Sequence, residues 1–206
     1  MARRDSGETG EGYPSARTPA FAETTPHPAL RATFSHKGRR KITALGAIDW
    51  REAMSTPALE TKYVFTITAR IGDVVTAGET GIGVRRIIPI IGGEVTGSIT
   101  GKVLPFGADF QTIRPNELID LEAKYAFETD DGAIVYVENK GMRFGPVELL
   151  QKLKRGEPVD PKLIYFRTVP KFETGHEKYR WLMEHIFVGS AARHADRVVI
   201  DVHQVV

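Results

Sequence analysis

The side chains best suited to chemistry are acids, tyrosines and arginines set on stretches of alternating hydrophobicity. Asp109 and Gln111 are two apart in DFQTIR (109–114), which reads as a short strand, so they share one face. Paired inward polar groups at that spacing can orient a small ligand; capping of the turn at Gly107 is the competing role. Tyr125 falls on the apolar side of an alternating stretch, where a tyrosine usually bonds its hydroxyl. It is either a satisfied core residue or a proton donor. Arg85 and Arg86 are adjacent, so on a strand one points in and the other out. Arg86 is taken as inward, although Ile87, Ile88, Pro89 and Ile90 do not alternate and a surface role for both arginines stays open. Arg143 shares a face with Gly141, and Tyr136 with Glu138. If buried, Arg143 and Arg167 would each need an acid, for which Asp109 and Glu173 are candidates. Trp181 and Phe172 either plug one end of the fold or pack in its core.

These residues suggest a division of labour. Asp109 and Tyr125 would move protons, which requires only hydrogen-bond reach and a tuned pKa. Arg86, Gln111, Tyr136, Arg143, Arg167 and Trp181 would bind the ligand, since a guanidinium grips a carboxylate with two bonds. The expected partner is a small organic carbonyl or carboxylate compound. The expected chemistry is that of a lyase, isomerase or hydratase with no cofactor. Two alternatives remain: a binding protein with the same pocket and no turnover, and an interaction module that uses the N-terminal arm.

Other chemistries lack their residues. No GxGxxG joins a strand to a helix, and neither a P-loop nor a GxSxG elbow is present. With no cysteine, thiol nucleophiles, disulfides and thiolate metal sites are excluded. The histidines show neither HxH nor HExxH spacing, and His176, His185 and His194 recur at an interval that fits neither helix nor strand. No metal is expected. Asp130-Asp131-Gly132 reads as turn chemistry rather than a cation site.

The elements that must hold these residues are mostly strands. Ile119, Leu121, Ala123, Tyr125 and Phe127 alternate with polar residues, and after the acidic turn Ile134–Val137 returns, giving a hairpin at the centre of the sheet. Tyr63 to Ile71 alternates equally cleanly. Val84–Ile90 is a second strand that Gly92-Gly93 should break. Glu94–Leu104 is expected as a third, with Pro105–Ala108 as a turn before 109–114. Ile164–Val169, Phe187–Gly189 and Val198–Val206 complete the set. Helices are expected from Pro146 to Gly156 and from His176 to His185. Up to nine strands without β-α-β order mean an all-β antiparallel fold, best closed into a single β-barrel that leaves no edge exposed.

Residues 1–57 are rich in Gly, Pro, Ser and Thr and are expected as a flexible, largely irregular N-terminal extension, with the barrel domain over 58–206. A net charge of +2 with acids and bases intermixed argues against nucleic-acid binding, and Lys37–Lys41 reads as a solvated tail. No apolar run nears the roughly 20 residues of a membrane span, and no apolar stretch follows the first Arg-Arg. A cytoplasmic protein outside the membrane is expected, with homo-oligomerisation left open.

Five phrases carry a resemblance: RRIIPIIGGEVTG (85–97), GKVLPFGADFQTIRP (101–115), YAFETDDGAIVYVENKGMR (125–143), YFRTVPKFETG (165–175) and YRWLMEHIFVG (179–189). Together they resemble the DUF3237 family, also called UPF0311, over roughly Leu59 to Val206. The resemblance implies a compact antiparallel β-barrel with an interior cavity, and no particular activity. One departure is Met183, where family members often carry Asn; if that Asn lines the pocket, the ligand differs here.

Overall fold

The computed structural model describes residues 56–206, so the expected N-terminal extension and the Lys37–Lys41 cluster lie outside the described residues almost entirely. The strands are β1 (Thr61–Ile71), β2 (Val75–Thr80), β3 (Gly83–Gly97), β4 (Gly101–Ile113), β5 (Ile119–Thr129), β6 (Ile134–Phe144), β7 (Tyr165–Glu173), β8 (Phe187–Arg193) and β9 (Arg197–Val205). One α-helix, α1 (Val147–Lys154), follows β6, and 3-10 turns cover Pro161–Leu163 and Glu177–Met183. No helix among the described residues is long and apolar enough to cross a membrane.

All strand pairs are antiparallel, in the order β1-β9-β8-β7-β6-β5-β4-β3-β2. β1 also pairs with the Ile90–Gly97 half of β3, and this closes eight strands into a barrel. β2 lies outside the ring, paired with the other half of β3. The alternation drives the closure: Phe65, Ile67 and Ala69 on β1 and Ile119, Leu121, Tyr125 and Phe127 on β5 are buried along one face of each strand.

The sequence reading misplaces two breaks. Gly92-Gly93 does not end a strand. β3 runs through it, with a register irregularity between Pro89 and Gly93, and reverses only at residues 98–100. Gly93 has φ +140°, and a Cβ there would run into the Thr68 carbonyl oxygen, so only glycine lets β3 bend onto β1. Likewise Pro105–Ala108 is not a turn. Gly107, at φ +99°, carries a bulge inside one long β4 against Lys124 and Tyr125. β2 was not foreseen, because its VTAGET is exposed almost throughout and has no buried face to betray it.

The interior has two unlike halves. At the end that holds the β5–β6 turn, Phe65 meets Phe127 and Phe172 edge-on at 6.2 and 5.6 Å, and Phe172 meets Phe187 at 5.2 Å. These rings fill the barrel. At the opposite end the inward residues turn polar, and α1 packs there through buried Leu150.

Candidate functional site

Strand register gathers the polar residues into neighbouring rows. Arg86 on β3 pairs with Gln111 on β4. In the next row Ile88, Asp109, Ala123 and Asn139 follow one another across β3, β4, β5 and β6. Small Ala123 leaves room between Asp109 and Asn139. Arg143, four residues after Asn139, pairs with Ile119 on one side and Phe166 on the other.

These groups line a cavity with about 40 Å³ open to the centre of a water molecule, enough for about three waters at roughly 10–15 Å³ each. Its walls are apolar, from Ile88, Ile90, Leu121, Phe166 and Ile200. Its polar groups are Asp109, Gln111, Tyr125, Asn139, Arg143, Thr168 and Arg193.

A short relay orders one side. Arg86 Nη2 donates to Gln111 Oε1 at 2.7 Å, and Gln111 Nε2 donates to Asp109 Oδ2 at 2.6 Å. The other side is unpartnered: Asp109 Oδ1, Tyr125 Oη, Asn139 Oδ1, Thr168 Oγ1, and Arg143 Nε and Nη1 are sealed from solvent with no hydrogen-bond partner in the protein. Buried polar groups are nearly always bonded, so a convergent set of free ones is a strong mark of a place meant for a ligand.

Burial sets the electrostatics. It pushes the Asp109 carboxyl above the usual carboxylate range, against the opposing Gln111 hydrogen bond and the Arg143 and Arg86 charges. It also raises the Tyr125 hydroxyl, helped by the negative charge of Asp109. Arg143, 6% exposed, is pulled down to about 10 by burial and then by the like charges of Arg193 and Arg86. Burial lowers Arg86 and Arg193 as well. Three guanidiniums thus surround one carboxyl.

Asp109, Gln111, Tyr125, Arg86 and Arg143 therefore come together as the sequence suggests. Three expected ligand-binding residues do not join them. Tyr136 is one residue out of phase with the buried Val135, Val137 and Asn139 and faces outward. Arg167 is exposed on the outer face of β7, over the Tyr165 ring at 5.4 Å. Trp181 packs against Phe187 at 5.8 Å and His185 at 6.4 Å, away from the cavity. Met183 is exposed beside Leu182 and Ile186 and does not line the cavity either. Sequence reasoning missed Asn139, Thr168 and Arg193. Asn139 was findable, because it shares the even spacing of Gly141 and Arg143. Arg193 follows the phase of buried Phe187, Gly189 and Ala191, but only once β8 is known to extend that far.

The family model described as "Protein of unknown function (DUF3237)" matches residues 59–205. A UPF0311 protein of Bradyrhizobium diazoefficiens is 94% identical over 150 residues, 73% of this chain and 99% of that protein. The crystal structure of a conserved protein of unknown function from Rhodopseudomonas palustris matches at 82% identity and TM-score 0.72, covering 73% of this chain and all of that one. The crystal structure of a protein with unknown function from Clostridium acetobutylicum matches at 41% identity and TM-score 0.67, covering 74% of this chain and all of that one. The chain belongs to the DUF3237 family, UPF0311.

Proposed function

We propose that this DUF3237 member binds a small organic carbonyl or carboxylate compound inside its barrel and moves a proton on it without a cofactor. One observation carries the reading. A buried carboxyl with a free oxygen, a free tyrosine hydroxyl and a free guanidinium edge converge on one apolar-walled cavity. Arg143, with Arg86 behind the Gln111 relay, holds the anionic end. Asp109 takes a proton from the carbon beside a carbonyl, and the electron pair moves onto the carbonyl oxygen. Tyr125 donates to that oxygen as negative charge develops. Return of the proton to another carbon completes an isomerisation. Departure of a hydroxyl on the next carbon, which takes the proton back from Asp109 and leaves as water, completes an elimination whose reverse is hydration. A carboxyl raised above its usual range has a pKa closer to the working pH, where proton transfer in both directions is most efficient.

The test is solvent isotope exchange. Small keto and hydroxy acids are first ranked by thermal shift, and those that bind are followed by proton NMR in deuterium oxide. Catalysed loss of the signal beside the carbonyl is expected with the native protein. It should fall by about 10²-fold or more in Asp109→Asn, with binding only modestly weakened. Binding without exchange in the native protein would make the barrel a carrier or sensor instead.

A further inference from the structure

A second concavity adjoins the first at the open end of the barrel. It has about 80 Å³ open to water and shares Ile88, Arg143 and Arg193 with the inner cavity. Arg86 and Lys154 also line it, and Leu150 and Leu153 of α1 form an apolar wall. Four cations thus face a space lined by no carboxylate. Among the described residues Arg86, Arg143 and Arg193 take part in no ion pair. Lys154 lies 3.5 Å from Glu117, and Asp196, which pairs with Arg197 at 3.7 Å, acts on Arg193 from the turn beyond it. Arg193 spends Nη1 on backbone carbonyls of its own turn, those of Ala195 and Arg197 among them. Arg143 is sealed and retains two unpartnered donor nitrogens. Set against Arg86, Arg143, Arg193, Lys154 and Arg197, the acids Asp109, Glu117 and Asp196 leave two positive charges uncompensated when all are ionised, and three when Asp109 carries its proton.

Buried like charges are tolerated where a counter-charge arrives with a ligand. We infer that this outer cleft is an anion subsite continuous with the inner cavity, and that the ligand is a compact organic dianion. One carboxylate sits at Arg143, the second reaches out to Arg193 and Lys154, and the carbons between them lie toward Asp109 and Tyr125. The inference rests on the reading that the barrel interior receives a small organic anion. It adds to that reading the second charge and the residues Arg193 and Lys154 that would select for it. Lys154, which lines only the outer cleft, is a specificity residue in this arrangement, while Arg193 borders both spaces.

The test compares matched probes by calorimetry near pH 8 and at low salt: succinate against butyrate, which have the same chain length and differ by one charge. Inorganic phosphate is added as a third probe to separate a phosphomonoester-type head from a dicarboxylate. Succinate should bind at least about tenfold tighter than butyrate, the size expected when one more charge pair forms in a partly desolvated cleft. Lys154→Met should remove most of that preference and leave butyrate affinity within about threefold, and Arg193→Met should remove the preference as well. Lys154 is partly exposed, so its variant reads out even where Arg193→Met fails to fold. Equal affinity for the two probes, or a preference unchanged in Lys154→Met, overturns the inference. Phosphate binding as tight as succinate assigns the head to a phosphomonoester. The two readings fail separately: isotope exchange on monocarboxylates with no charge preference overturns the dianion alone, and a charge preference without exchange on any compound overturns the proton transfer alone.

Discussion

Replacing Arg143 with Met should make the ligand-free protein more stable. Arg143 is 6% exposed, and its Nε and Nη1 have no partner. Its guanidinium is lowered well below the usual arginine range, to about 10, with burial the largest cause and Arg193 and Arg86 adding repulsion. At about 1.4 kcal/mol per pKa unit, keeping it charged inside the fold costs on the order of 3 kcal/mol. The contact with the Phe166 ring at 5.4 Å offsets roughly 1–2 kcal/mol of this. Methionine keeps an unbranched stem of similar reach and removes the charge. The net gain is therefore about 1–2 kcal/mol, which for a folded unit of this size raises Tm by about 2–8 °C. The sign holds throughout the neutral range. A depressed base penalises the fold fully below its folded pKa of about 10, and relief comes only as pH rises from there towards the ordinary arginine value. Urea unfolding without organic anions, followed by tryptophan fluorescence, should show a higher midpoint with an unchanged slope. A loss of about 3 kcal/mol or more, the usual result of breaking a satisfied buried pair, would refute the reasoning. Arg143 would then already be paired in the free protein, with no counter-charge left for a ligand to bring.

Three further outcomes follow from the same structure. Asp109→Asn should stabilise the protein near pH 7 and make no difference near pH 4, because a raised carboxyl penalises the fold only once the unfolded chain ionises; a difference flat across urea titrations at those two pH values would contradict this. Asp131 pairs with Lys178 and accepts from Thr129 Oγ1 and Tyr179 Oη at 2.5 and 2.8 Å, and these bonds, that with Lys178 foremost, hold its carboxyl far below the usual range. Asp131→Asn should therefore lower Tm at neutral pH, with the difference fading as acid protonates the native carboxylate; a Tm difference that persists in strong acid would show the bonds are not the cause. Gly93→Ala should cost about 1–3 kcal/mol from backbone strain alone, plus the clash with the Thr68 carbonyl; an unchanged urea midpoint would remove the bulge from the account of barrel closure.

Much of this architecture is legible along the chain, because one-sided burial writes a period of two into β1 and β5. Where that period breaks, legibility ends. Ile87–Ile90 does not alternate, and the bulges at Gly93 and Gly107 shift the phase, so the sequence reading cuts β3 and β4 where they only bend. The same effect governs the site. Asp109, Gln111 and Tyr125 lie on stretches whose phase is visible, and they converge in the structure. Tyr136 is expected at the ligand because the hairpin sets it on the strand beside Tyr125, although the phase of Arg143 and Gly141 points to Asn139 instead. Arg167 and Glu173 alternate with the buried Phe166, Thr168 and Phe172 and so face outward together. The positive mouth was not readable at all. It depends on α1 bringing Lys154 to Arg193, which are far apart in sequence and meet only through the closed barrel.

The most direct test of the interior site is X-ray diffraction from crystals soaked in a panel of small keto acids and dicarboxylates. The expected result is ordered ligand density in the barrel, with a carboxylate at Arg143 and a carbonyl carbon within reach of Asp109 Oδ1 and Tyr125 Oη. Water alone in the cavity across the whole panel, with Arg143 Nε and Nη1 bonded to that water, would contradict it.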